Sequence, residues 1–299
     1  MNVAPPTGDT EETYKKVLAE NEFPVDVEKF DGYSLGWIGP RTAKAVILYM
    51  HGGGLTEPAF DAHIQFLLNG WKVMKANDQD VSIAVLAYGL APKTPYPVQN
   101  RQVVATIHHL LKSRPAEDIV LSGDSVGAML TLSTLLHHKH PMPTVPALIL
   151  PTPTSRFREI FVVSPGSGFI TDTKSMQENH GKDFVTHDRM TLGKEILEAS
   201  KEPGIDFPNP WILSVSAEET WWKDLPVGKV TITTGGDELW RDENLTVGER
   251  IKKYHDREVT VHCGEGEVHC GPFFDMMTGV TEDKAGTKLF KKWFQDFKA

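Results

Sequence analysis

The chain has 299 residues, 40% hydrophobic and 24% charged, with a formal net charge of -9. That balance supports a sizeable buried core and argues against disorder, while scattered acids and the lack of any Lys/Arg cluster argue against a nucleic-acid partner. No apolar run approaches the ~18 residues needed to cross a bilayer. The first residues carry Pro5, Pro6, Asp9, Glu11 and Glu12 where an export signal needs a basic start and an apolar stretch. The expectation is a soluble, cytoplasmic protein with no stable membrane insertion, whose two cysteines, Cys263 and Cys270, are free thiols.

In chain order, an N-terminal segment (1–43) contains a hairpin pattern over 25–38 centred near Gly32 and Tyr33. The apolar run 45–50 reads as a buried strand, 61–75 as a helix, 83–87 as a strand and 98–112 as a helix. Strand 119–121 leads to helix 127–138, and strand 160–163 follows. The stretch 166–225 breaks this rhythm, with several prolines and the aromatics Phe184, Phe207, Trp211, Trp221 and Trp222. It predicts a helical lid or cap insertion whose tryptophans either anchor it to the core or contact substrate. Strand 230–233, helix 244–255, strand 259–261 and helix 282–297 complete the chain. Alternation of this kind builds a mostly parallel, doubly wound α/β sheet with helices on both faces, here as one domain over 1–299.

Gly123-Asp124-Ser125-Val126-Gly127 fits G-x-S-x-G. Alone that pattern is weak, but here a strand leads in and a helix leads out, as a nucleophile elbow requires. Flanking glycines permit the sharp turn that lifts the Ser125 hydroxyl clear of the sheet at a helix N-terminus, where negative charge is favoured. His51-Gly52-Gly53-Gly54 directly follows the early strand, 74 residues before the serine. A glycine loop there can turn N–H groups toward an oxyanion, with Gly53, Gly54 and Val126 the expected donors, worth ~3 kcal/mol each in acyl transfer.

A serine hydroxyl needs a histidine to take its proton, and that histidine needs a carboxylate. In folds with a nucleophile elbow the order is Ser, acid, His. Strand 230–233 runs straight into Gly235-Gly236-Asp237-Glu238, which makes Asp237 the expected acid, with Glu238 and Asp242 as neighbouring competitors. The loop after strand 259–261 carries His269, the expected base. The pairs His262-Cys263 and His269-Cys270 lack the usual zinc spacing and place adjacent strand residues on opposite faces, so no metal and no cofactor is expected.

With these residues in hand, the chain resembles the hormone-sensitive-lipase-like family of α/β hydrolases from about residue 44 to its end. Beyond the two glycine motifs, Tyr88-Gly89-Leu90-Ala91-Pro92-Lys93 with Tyr96-Pro97 resembles that family's Y-x-L-A-P segment, and 236–243 its acid-bearing D-x-L-x-D segment. The resemblance implies the α/β-hydrolase fold and carboxylester hydrolysis by Ser125, Asp237 and His269, with fungal acetyl-hydrolase-like members, including those acting on sterol acetates or acylated secondary metabolites, the nearest in look. Val126 and Ala128 after the serine, and Cys270-Gly271-Pro272 after the histidine, depart from the family's common residues. The expected partner is a small, apolar ester, with Trp211, Trp221 and Trp222 as substrate contacts and a homodimer through Trp293 and Phe294 as the one protein contact considered. Acyl transfer, lactone opening or cyclisation on the same site, and a non-catalytic receptor, are the competing readings.

Overall fold

The computed structural model describes residues 8–168 and 172–299. Residues 1–7 of the N-terminal segment and 169–171 of the lid stretch lie outside the described residues. Helix α1 (Thr10–Glu20) precedes strands β1 (Val27–Phe30) and β2 (Tyr33–Ile38), then β3 (Ala45–Met50), α2 (Asp61–Ala76), β4 (Val81–Ala87) and α3 (Val98–Leu110). Next come β5 (Ile119–Asp124), α4 (Val126–Lys139), β6 (Ile160–Val163), α5 (Lys174–Glu178) and α6 (His187–Ser200). The chain ends with β7 (Lys229–Gly235), α7 (Arg241–Tyr254), β8 (Glu258–Gly264), α8 (Gly271–Thr278) and α9 (Ala285–Asp296).

One eight-stranded sheet carries them in the order β1-β2-β4-β3-β5-β6-β7-β8. The 25–38 hairpin forms as expected, Phe30 facing Tyr33 across the turn, and β2 joins β4 antiparallel; every later neighbour is parallel. Central strands are apolar on both faces because both are covered. Val46, Leu48 and Met50 of β3 face the core built with α3, α4 and α7, while Ala45, Ile47 and Tyr49 face the one built with α1, α2, α8 and α9. In the second core the rings of Phe161 and Phe290 stack at 4.5 Å and those of Phe290 and Phe294 at 5.0 Å. Trp293 and Phe294, behind the dimer expectation, are therefore buried within their own chain. The α9 pattern that exposed them in the sequence reading is the stripe that docks the helix on the sheet.

Helix α1 was not anticipated. Its signal is a capping box: the Asp9 carboxylate accepts the Glu12 N–H while the Glu12 carboxylate accepts the Asp9 N–H. Tyr14, Val17 and Leu18 bury the inner face. Thr10, at its start, donates its hydroxyl to His51 Nε2 (2.9 Å) and accepts the Ala59 N–H (3.1 Å), so the helix holds the glycine loop from below. From the far side Tyr88 stacks on His51 at 4.3 Å and donates to its carbonyl at 2.7 Å, and Ala91 N–H bonds Leu55 O.

Replacing Thr10 by Val keeps the shape but leaves an imidazole nitrogen and an N–H unpaired in the interior. Urea unfolding should show a loss of about 1–3 kcal/mol; a variant as stable as the parent would show that the tether contributes nothing.

Candidate active site

The nucleophile turn is built by steric exclusion. A Cβ on Gly127 would lie 2.0 Å from Met50 O and one on Gly123 2.5 Å from the same atom, so only glycine lets α4 start this close to the end of β3. Ser125 is held at φ 50, ψ -125, a conformation few non-glycine residues adopt, and its N–H bonds Val163 O. Asp124 anchors the turn beneath. Its buried carboxylate accepts from Tyr49 Oη (2.6 Å), Gly52 N–H (2.8 Å) and His63 Nε2 (3.0 Å). His63 Nδ1 accepts the Phe60 N–H, which assigns the His63 proton to Nε2. Burial would raise the Asp124 pKa, but the neighbouring histidine and the donors outweigh it and hold the carboxyl below its ordinary value.

Ser125 Oγ lies 2.8 Å from His269 Nε2, and His269 Nδ1 lies 2.8 Å from Glu238 Oε1. Here the structure corrects the choice of Asp237. Gly236 gives its N–H to the carbonyl of Gly264, the last residue of β8, and Asp237 gives its N–H to Glu267 O in the loop that follows. That pairing leaves the Asp237 side chain at the surface, facing Lys182 at 3.5 Å, while the next residue turns inward. The sequence held a signal for this: in D-x-L-x-D the last acid follows the first by four residues, and the residue four before Asp242 is Glu238.

Glu238 is fully buried and fully paired. Besides His269 it accepts from Asn244 Nδ2 (3.0 Å), Ser164 Oγ (2.8 Å), Thr234 Oγ1 (2.8 Å) and Gly235 N–H (2.9 Å). Burial pushes its pKa up; His269 and these donors push it down and prevail. His269 is the mirror case: burial disfavours its cation, but Glu238, Asp183 and Asp124 outweigh burial and raise its pKa. His51, with no such acid at its ring, is driven by burial down to about 4 and stays neutral.

Ser125, Val126, His269, Gly53 and Gly54 open on one cavity of about 500 Å³. Gly53 and Gly54 have φ of 106 and 64, in the left-handed region, and the Gly52 N–H is already taken by Asp124. Gly52 therefore braces the loop, and Gly53 and Gly54 remain as the oxyanion candidates with Val126. The walls are mostly apolar, with Val126, Met129, Ile196, Ile212, Phe184 and Phe273 among the lining residues. Its charged rim pair, Arg189 and Glu57, is satisfied internally at 2.7 Å.

Trp211, Trp221 and Trp222 do not line this cavity. Trp222 is fully buried in the core, Trp221 stacks on His140 at 4.2 Å, and Trp211 Nε1 donates to His140 O. They anchor the excursion, and the aromatics that reach the site are Phe184 from the excursion and Trp240 from the acid loop, whose rings lie 5.9 Å and 4.9 Å from His269. Among the described residues no group of three or more His, Cys, Asp or Glu side chains converges on a metal position, and both cysteines are free.

Comparison with known proteins agrees with this architecture. An ethyl acetate hydrolase of Pseudomonas putida is 26% identical over 149 residues, 46% of this chain and 45% of that protein. An acetyl esterase of Salmonella typhi is 29% identical over 100 residues, 32% and 29% of the two chains, so the chain matches less than half the length of these relatives. A hormone-sensitive lipase from a metagenome library shares the fold with a TM-score of 0.70 at 23% identity, covering 98% of this chain and 92% of that one. Carboxyl esterase 2 of the fungus Tuber melanosporum does so at 0.71 and 18%, covering 92% and 86%. A family model described as the alpha/beta hydrolase fold matches residues 47–272, and the chain belongs to that family.

Proposed function

We propose that the protein is a serine carboxylesterase that hydrolyses a neutral, largely apolar ester carrying a short acyl group such as acetyl. The observation that carries this reading is the unbroken hydrogen-bond chain from Ser125 through His269 to Glu238, opening on an apolar cavity. The relatives named for acetate ester hydrolysis support the short acyl group. The cavity's one arginine is already paired, which favours a neutral substrate.

In this mechanism His269 Nε2 takes the Ser125 proton as Oγ forms a bond to the ester carbonyl carbon. Negative charge moves to the carbonyl oxygen, where the N–H groups of Gly53, Gly54 and Val126 and the start of α4 stabilise it. Reforming the carbonyl breaks the bond to the alcohol oxygen, which leaves with the proton from His269. Water then attacks the acyl-serine, its proton passing to His269 and back to Ser125, and the acid departs. Glu238 stays ionised, holds the imidazole tautomer and stabilises the imidazolium.

Three outcomes test this. Parent protein should be labelled once by a fluorophosphonate at Ser125, read by intact mass, and should turn over nitrophenyl acetate, while Ser125→Ala does neither; labelling without turnover would shift the reading to acyl transfer or cyclisation, and no labelling would end it. Glu238→Gln should lower kcat by about 10⁴ through loss of the tautomer, whereas Asp237→Asn should leave it within about twofold; the reverse ranking would restore Asp237. His269 must be neutral to accept a proton, and its pKa is raised, so the cation persists to higher pH than for a free imidazole. The acidic limb of kcat/KM should therefore lie above about 6.5, and a flat profile to pH 4 would rule out this base.

A further inference from the structure

We propose that Asp183, from the excursion between β6 and β7, is a positioning residue for this site, fixing with one carboxylate both loops that carry the histidine and the acid. The inference rests on the Ser125–His269–Glu238 reading and deepens it. Asp183 Oδ1 accepts the backbone N–H of His269 at 3.1 Å, and Oδ2 accepts that of Leu239, next to Glu238, at 2.9 Å. The side chain is buried. Residues 239 and 269 lie beyond the C-terminal ends of two different strands, β7 and β8, and past the backbone bonds from Gly236 and Asp237 that join the two loops, so Asp183 adds a side-chain tie where that pairing has ended.

Asp183 is the last of three buried polar residues spaced four apart. Ser175 donates its hydroxyl to Leu239 O at 2.7 Å, and Asn179 donates to Gly236 O at 3.0 Å and Glu238 O at 2.8 Å. The acid loop is thus bound along its length by side chains of the excursion. Asp183 alone also reaches the histidine loop and alone of the three is ionisable; burial raises its own pKa above the ordinary carboxylate value, opposed by His269 and by the two N–H donors. The ionisable groups around His269 are Glu238 at its ring, Asp183 at its backbone, Asp124 below the nucleophile and the adjacent Cys270 thiol; the three acids raise the histidine's pKa. Removing the Asp183 charge therefore lowers it.

The test is the fluorophosphonate labelling rate and its pH dependence on full-length protein, with thermal melting as the check of folding. Asp183→Asn should label roughly 10- to 100-fold more slowly, as expected for a sub-ångström to ångström loss of alignment, and its acidic limb should move to lower pH than the parent's. Asn179→Ala should slow labelling with the limb unmoved, since no charge is lost. Asp183→Glu, which keeps charge but displaces both loops by a methylene, should keep the parent limb at a reduced rate, and serves if the Asn variant does not fold. Parent-like rate in either Asp183 variant, or a slowed Asp183→Asn with an unshifted limb, would overturn the proposal. Failure of the parent to label would instead remove the esterase reading beneath it.

Discussion

A carboxylate held without water is the constraint around which this end of the molecule is arranged. Glu238 sits fully buried, and an isolated ion there would be neutralised. It stays charged because hydroxyls at the ends of β6 and β7, the Gly235 N–H, an amide from α7 and an imidazole all converge on it. Parallel strands make that convergence feasible, since their C-terminal ends lie side by side and each contributes one short polar group. The surrounding acids are handled differently. Asp183 keeps two backbone donors, while Glu243, buried with neither oxygen partnered among the described residues, is pushed by burial and neighbouring acids up to about 8. It is neutral at neutral pH, so it adds no further charge to Glu238, Asp183 and Asp124, the acids that raise the histidine's pKa.

Asp124 plays the corresponding part under the nucleophile. Its donors come from β3, the glycine loop and α2, so one residue of the elbow ties the turn to the oxyanion loop. Thr10 then holds His51 at the Nε2 edge of its ring, and Tyr88 at the ring face and the carbonyl. The glycines of that loop are free of side chains and could move; these contacts are what hold the loop against the serine. Preorganisation of this kind is where oxyanion stabilisation comes from, because donors already in place need no rearrangement as charge develops.

Most of the sheet and the serine and histidine were legible because their signals are local: apolar runs of strand length, a glycine-flanked serine between strand and helix, a histidine after the last strand. The acid was missed by one residue because neighbouring acids in a tight turn differ only in which way the backbone points them. That direction is set by pairing to the loop after β8, a contact more than 25 residues away. The tryptophans were misplaced for a related reason. Composition marks a residue as fit for a pocket or a core, but only packing against His140 and α4 decides between them. Helix α1 does carry a local signal, since Asp9 and Glu12 spell its capping box.

The excursion divides into two parts with different physical roles. Its first part, through Asp183, is bound to the acid and histidine loops by buried hydrogen bonds and cannot leave without disturbing them. Helix α6 is different: of its residues only Met190 and Leu197 are buried, and its link to the glycine loop is the exposed Arg189–Glu57 pair. Such pairs contribute about 0–1 kcal/mol. Two buried side chains, the half-buried Ile196 against the core, a ring contact between His187 and His180 and one surface ion pair hold α6, against a set of buried bonds holding 175–183. The roof of the cavity is therefore the part least costly to move, and the wall that carries Asp183 belongs with the catalytic machinery.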